Sequence, residues 1–162
     1  MNSESSNRTL LVLTSYHHRN TETVAEVIAD VLDAQIAAPQ DVNSADLQDY
    51  AVLGFGSGIY GAKHHEAVLE LANRLPLATG KRAFIFSTSA IINKGKATAD
   101  HSVLREILES KGYTIVDEFS CRGFNTNSFM KYFGGMNRGR PNAKDLERAR
   151  AFARKLRQQI DR

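Results

Sequence analysis

Three short stretches of this 162-residue chain collect side chains better suited to holding a ligand than to filling a core. The first, residues 15–21, reads Ser-Tyr-His-His-Arg-Asn-Thr and runs straight into a helical pattern. Small hydroxyl and amide groups there, with backbone N–H groups at the positive end of a helix, form a cradle for phosphate. Ser15, Asn20 and Thr21 can donate hydrogen bonds to phosphate oxygens, and His17, His18 or Arg19 can add charge. The plainer reading of the same loop is helix capping by Asn20 or Thr21. The second stretch, residues 54–61, is Gly-Phe-Gly-Ser-Gly-Ile-Tyr-Gly. Glycines this dense mean that the backbone turns sharply or approaches something closely. Ile59 and Tyr60 among them have no folding reason to be apolar, and a planar aromatic ligand stacked on Tyr60 would explain them. The third stretch, Ser87, Thr88 and Ser89 followed by Ala90, is again rich in hydroxyls and poor in bulk.

The elements that must position these stretches alternate between short apolar runs and amphipathic segments, the pattern of βαβ units around a parallel sheet. Residues 9–14 (TLLVLT) form a first strand, and Val24, Val27, Ile28, Val31 and Leu32 then recur at helical spacing. Thr21 is the expected N-cap of that helix. Residues 35–38 form a short strand ended by Pro39, suited to a sheet edge, and residues 49–56 a third strand. A helix carrying Val68, Leu69, Ala72 and Leu75 stops at Pro76; residues 82–87 make a fourth strand. The helix of Val103, Leu104, Ile107 and Leu108 closes at Gly112, a left-handed cap. Residues 113–119 supply a fifth strand, a Gly-rich segment spans 122–140, and Asn142 caps a last helix with Leu146, Phe152, Leu156 and Ile160. Five strands and four helices in strict alternation predict a doubly wound parallel sheet with helices on both faces. Ligands of such sheets sit beyond the carboxyl ends of the strands, where strand order reverses. All three polar stretches follow strands on that edge.

Composition sets the outer bounds. The length fits one domain, with residues 1–8 a flexible leader lacking a secretory signal's apolar run and residues 9–162 a single domain. No apolar run approaches the roughly 20 residues of a membrane span. A lone cysteine, Cys121, fits a reducing cytoplasm, the expected location. The net charge of +3 is uneven: from residue 131 onward 10 Lys/Arg face 3 Asp/Glu, whereas the preceding part carries 11 against 15. A basic end could bind nucleic acid or an acidic partner, but Arg148, Arg150, Arg154, Lys155 and Arg157 are interspersed with core-type residues and read better as a solvated helix face.

Several chemistries fail on spacing. Gly56-x-Gly58-x-x-Gly61 matches the dinucleotide fingerprint, but it follows the third strand and lacks the acidic residue about 20 positions on. Gly61-Ala62-Lys63-His64 is not a P-loop, and a phosphorelay receiver would need an aspartate where Gly56 and Ser57 stand. The pairs His17-His18 and His64-His65 have no acidic residue at supportive spacing, so no metal site is expected. No catalytic residue is nominated.

Taken together, the residues resemble the flavodoxin-like family over residues 9–160. The S-Y-H-H-R-N-T loop resembles its phosphate-binding loop, G-S-G-I-Y-G its second loop, which lies against the flavin ring, and S-T-S its third. The segment Cys121-Arg122-Gly123-Phe124, continued by residues 134–142, is similar to a small subgroup of flavodoxin family proteins. The resemblance implies strand order 2-1-3-4-5 and flavin mononucleotide (FMN) as cofactor. By position it implies that Ser15, His17, His18, Arg19, Asn20 and Thr21 hold the phosphate. Ser57, Gly58, Ile59 and Tyr60 would then flank the ring, and Ser87, Thr88 and Ser89 would meet its polar edge. The first loop is about one residue longer than the common T-x-T-G-x-T form, and the chain's basic pI of about 9.1 departs from acidic electron carriers. Lys94 and Lys96 are therefore expected to stabilise reduced flavin and give a less negative potential, and Phe129, Tyr132 and Phe133 to form a partly apolar lid. The implied function is electron transfer through bound FMN, to a redox partner protein or a small quinone-like acceptor. Two alternatives stand beside it: an FMN-dependent NAD(P)H:quinone-type reductase, and a cofactor-free interaction module using the basic end.

Overall fold

A computed structural model describes residues 8–16, 18–93, 95–124 and 137–162. Its elements in chain order are β1 (Thr9–Leu13), α1 (Asn20–Leu32), β2 (Gln35–Ala37), two 3₁₀ turns (Pro39–Asp41 and Asp46–Asp49), β3 (Val52–Tyr60), β4 (Lys63–His64), α2 (Glu66–Asn73), β5 (Lys81–Ser89), α3 (Lys96–Asp100), α4 (Ser102–Ser110), β6 (Tyr113–Arg122) and α5 (Ala143–Ile160).

The main sheet is parallel, in the order β2-β1-β3-β5-β6. Counting parallel strands alone, this is the expected 2-1-3-4-5, with the reversal between β1 and β3. Every residue of β1 is buried, as a central strand covered on both faces requires. On one face α1 and α5 pack Val24, Ile28, Phe152 and Leu156 against Leu11, Leu13, Phe84 and Phe86. On the other, Val68, Leu71, Leu104 and Leu108 of α2 and α4 cover Val12, Leu53, Phe55 and Ile85. Among the described residues no helix is long and apolar enough to cross a membrane.

The structure corrects the expected boundaries where the polar stretches lie. β3 does not stop at residue 56 but runs through Ser57, Gly58, Ile59 and Tyr60. A two-residue turn at Gly61 and Ala62, both at positive φ (57° and 61°), then folds the chain into the antiparallel β4. Paired positive φ values are what a tight hairpin demands. β5 likewise extends through Ser87, Thr88 and Ser89. The short helix α3 is an element that the sequence pattern did not mark, and Thr21 is not the N-cap of α1: that place is Arg19, in left-handed conformation and without a side-chain cap bond. Instead Ser15 Oγ reaches back to accept from the Glu22 N–H at 3.2 Å.

Two glycines of β3 make the close approach that the sequence predicted, and what they approach is the core of the sheet. A Cβ on Gly54 would lie 2.4 Å from the Phe84 ring, and one on Gly56 2.2 Å from the Phe86 ring. These two glycines make room for the phenylalanines of the neighbouring strand. Elsewhere the reading stands: Gly112 takes φ +89° after α4, and Asn142 caps α5 in a reciprocal capping box with Asp145.

Candidate functional site

The carboxyl ends of β1, β3 and β5 and the start of α1 converge on one cleft, joined by the segment after β6. Ser15, Asn20 and Thr21 form its first wall, Gly58, Ile59 and Tyr60 its second, and Thr88 and Ser89 its third. Eight of the sequence-nominated residues therefore meet around one space of about 190 Å³. No aspartate or glutamate contributes to its lining among the described residues. An anion entering the cleft meets hydroxyls, amides and the N-terminal end of a 13-residue helix.

The walls are tied to one another. Thr21 Oγ1 and Thr88 Oγ1 lie 2.9 Å apart, so a buried hydroxyl pair links α1 to β5. Asn20 Nδ2 donates to the Phe124 carbonyl at 2.8 Å, fastening the first loop to the segment after β6. A Cβ on Gly123 would come within 2.6 Å of that same amide, so the close approach needs glycine there. The His18 ring packs on Phe124 with centroids 4.2 Å apart. Tyr60, Tyr16 and His65 form an aromatic cluster, with His65 4.9 Å from Tyr16 and 5.5 Å from Tyr60 by ring centroids. Burial, with Tyr16 alongside, raises the Tyr60 phenol above its ordinary value, so it stays protonated as a hydrogen-bond donor.

Four nominated residues are placed differently. Arg19 is exposed and turns to Glu22 and Glu26, leaving its charge outside the cleft. His18 belongs to the loop's packing on Phe124 and is not among the cleft-lining residues. Ser57 is fully buried, its hydroxyl donating to the Gly58 carbonyl and accepting from the His65 N–H. Ser87 is equally buried and points to the opposite face of the sheet, where it meets His101 and Ser120. The alternation of a strand decides this: once Ser87 and Thr88 are in β5, they face opposite sides. His17, Lys94 and the proposed lid residues Phe129, Tyr132 and Phe133 lie outside the described residues.

Sequence reasoning passed over Tyr16, Ala62, Ala90 and Ile91 as cleft residues. Tyr16 and Ile91 carried a usable signal, each a large apolar side chain inside a polar loop, and both are more than half exposed. Lys96 does reach the lining, but its ammonium pairs with the buried Asp100, so it does not bring a lone positive charge. Behind the third wall, Ser87 Oγ, His101 and Glu118 stand 2.7 and 2.9 Å apart in sequence. The spacing is that of a hydrolytic relay, but Ser87 has no exposure to a substrate.

Comparison with known proteins agrees with the fold. Residues 11–135 match the family model described as a flavodoxin domain. An uncharacterized protein of Methanocaldococcus jannaschii is 39% identical over 149 residues, covering 92% of this chain and 97% of that protein. Among solved structures, a flavodoxin from the domain Archaea superposes with a TM-score of 0.64 at 15% identity, covering 96% of this chain and 99% of that one. Oxidised Flavodoxin 2 from Bacillus cereus gives 0.69 at 17% identity, covering 94% and 99%. With its strand order, the cleft at the reversal point and a family match over most of its length, the chain belongs to the flavodoxin family.

Proposed function

We propose that the cleft holds FMN and that the chain is an electron-transfer flavoprotein. The observation that carries this reading is the meeting of the α1 N-terminus, Tyr60 and the Thr88–Ser89 hydroxyls around a cleft without carboxylates. The donor set fits the group: Ser15 and Thr21, with the helix end, suit a phosphate; Ile59 and Tyr60 suit a flat ring; Thr88 and Ser89 suit its polar edge. The described walls enclose about 190 Å³, and Tyr16 and Ile91 of that lining are more than half exposed, apolar surface that a partner could meet. When bound, FMN supplies one- and two-electron transfer. The chain's own residues do the rest. The Thr21–Thr88 pair fixes the distance between phosphate and ring walls, and the Asn20–Phe124 tether holds the first loop in place.

The counterpart in this reading is a redox partner protein or a small quinone-like acceptor in the cytoplasm. One feature favours the alternative, an NAD(P)H:quinone-type reductase. A second depression of about 740 Å³ lies beyond Tyr16 and Tyr60, lined also by Lys63, His64 and Leu69. That is room for a second organic substrate beside the first. The interaction-module alternative gains no support from the described residues: Arg150 and Arg154 share Glu147, and Lys155 reaches Asp117.

An absorbance and fluorescence titration with FMN, using riboflavin as the phosphate-free control, tests the reading. Quenching by FMN at far lower concentration than riboflavin is expected, and Ser15→Ala, which leaves the Thr21–Thr88 pair intact, should weaken FMN about tenfold while hardly touching riboflavin. Equal affinity for both would remove the phosphate cradle, and no binding of either would remove the cofactor. Steady NAD(P)H oxidation by the FMN-loaded protein with a quinone would select the reductase.

A further inference from the structure

Behind the Thr88–Ser89 wall, on the α4 face of the sheet, a buried polar cluster joins β4, β5, β6 and α4. Its hydrogen bonds allow protons to be counted. Ser87 Oγ donates to Ser120 Oγ at 3.0 Å. A hydroxyl has one proton, so the 2.7 Å contact between Ser87 Oγ and His101 Nε2 needs its proton from the imidazole. On the other side of the ring, His101 Nδ1 lies 2.9 Å from Glu118 Oε1, a carboxylate that only accepts. Both ring nitrogens therefore donate. We infer that His101, which is 1% exposed, is held as a buried imidazolium, and that it supplies the positive charge behind the cofactor cleft that favours an anionic, reduced occupant.

The neighbours support that charge. Arg105 and His101 share Glu118, with Arg105 Nε and Nη2 at 2.9 and 2.7 Å from its oxygens. Although burial opposes it, these two cations bring the Glu118 carboxyl down to about 2. The ring of His64, on β4, lies 4.9 Å from that of His101 by centroids. Its Nε2 donates to the Phe86 carbonyl at 3.2 Å, and its buried Nδ1 has no partner, so this ring is neutral. Burial, then repulsion from His101, pushes His64 to about 3, so it does not compete for the proton. The residue before His101, Asp100, is 2% exposed and paired with Lys96. Lys96 offsets Asp100, and Arg105, which also faces Glu106 and Glu109, shares Glu118 with the imidazolium.

The first half of this inference needs no cofactor; the second rests on the FMN reading above. Nitrogen-15 NMR of the imidazoles in the ligand-free protein at pH 7.5 tests the first, with His101 assigned by the loss of its signals in His101→Gln. Two protonated ring nitrogens are expected, and a single protonated nitrogen overturns the imidazolium. Should His101→Gln fail to fold, Ser87→Ala serves for the assignment, since it removes the Nε2 acceptor and shifts that resonance alone. The second half is read from FMN dissociation constants measured oxidised and after dithionite reduction. In His101→Gln the reduced form should lose about tenfold relative to the oxidised form. An unchanged ratio overturns the cofactor arm while the NMR result stands. Failure of wild type to bind FMN in either state overturns that arm together with the proposed function, and again leaves the NMR result intact.

Discussion

Gly56 opens a G-x-G-x-x-G pattern in sequence, yet in the fold the place of its missing Cβ is taken by the edge of Phe86, 2.2 Å away. Gly56→Ala should therefore destabilise by about 1–3 kcal/mol, the range for overpacking a core, with little change in ligand affinity. Chemical denaturation alongside the FMN titration checks both halves. His64 sets a second residue-scale expectation. Its folded-state value of about 3 lies below the ordinary 6.5, mainly through burial, so the unfolded chain takes up this proton first as pH falls. The stability it confers is complete above pH 6.5 and drains away between 6.5 and about 3, at about 1.4 kcal/mol per pH unit over the steep part. Glu118, held at about 2 against its ordinary 4.5, adds a further loss as pH falls from 4.5 towards 2. Denaturation midpoints in His64→Gln should vary less between pH 6.5 and 4.5 than those of the wild type. An unchanged pH profile would contradict the assignment to His64. The residue scale was also the least legible in sequence. Ser57 and Ser87 have the right chemistry for a binding loop, but one register step in a strand turns each inward, and no composition argument sees a register.

At the scale of elements the reading did better, because periodicity and capping act locally. β1 reads as a buried strand from its unbroken apolar run, and α5 from Leu146, Phe152, Leu156 and Ile160 behind Asn142. What failed were the ends of β3 and β5, where hydroxyls and glycines continue the ladder instead of ending it: Gly58 pairs with Thr88 as regularly as Phe55 with Ile85. Polar residues were read as loop, although their backbone bonds do not depend on their side chains. The α5 cap is the element-scale test. Asn142 Oδ1 accepts from the Asp145 N–H at 3.0 Å, and Asp145 returns a bond to the Asn142 N–H at 2.8 Å while also pairing with Arg140. Asn142→Ala should cost about 1 kcal/mol, as loss of an N-cap does. Since α5 covers the same sheet face as α1, the loss should appear as a shift of the whole unfolding transition, read by circular dichroism. A separate early helix melt would show α5 to be uncoupled from the core.

Over the whole molecule, the strict alternation of elements made a doubly wound sheet with a cleft at a reversal legible through the crossover rule, whereas the order of its strands came from the resemblance to flavodoxins. The charge imbalance was legible as a number but not as a function, since pairing is a property of space. In the fold, Arg157 donates to the Val31 carbonyl at 2.7 Å, Lys155 reaches Asp117 on β6 at 3.2 Å, and the Arg148 guanidinium lies 5.5 Å from the Phe119 ring centre. These contacts tie α5 to α1 and β6, although the side chains of Arg148, Lys155 and Arg157 stay more than half exposed. Exposed pairs of this kind contribute little to stability, but they lower the field available to a polyanion. Duplex DNA should accordingly bind no more tightly than the weak non-specific range, about 10⁻⁴ M or worse at physiological salt, with a shallow dependence on salt. Fluorescence anisotropy across a salt series measures this. A steep slope, equivalent to six or more released counterions, would mean that these pairs open towards phosphate and that the basic end has a partner of its own.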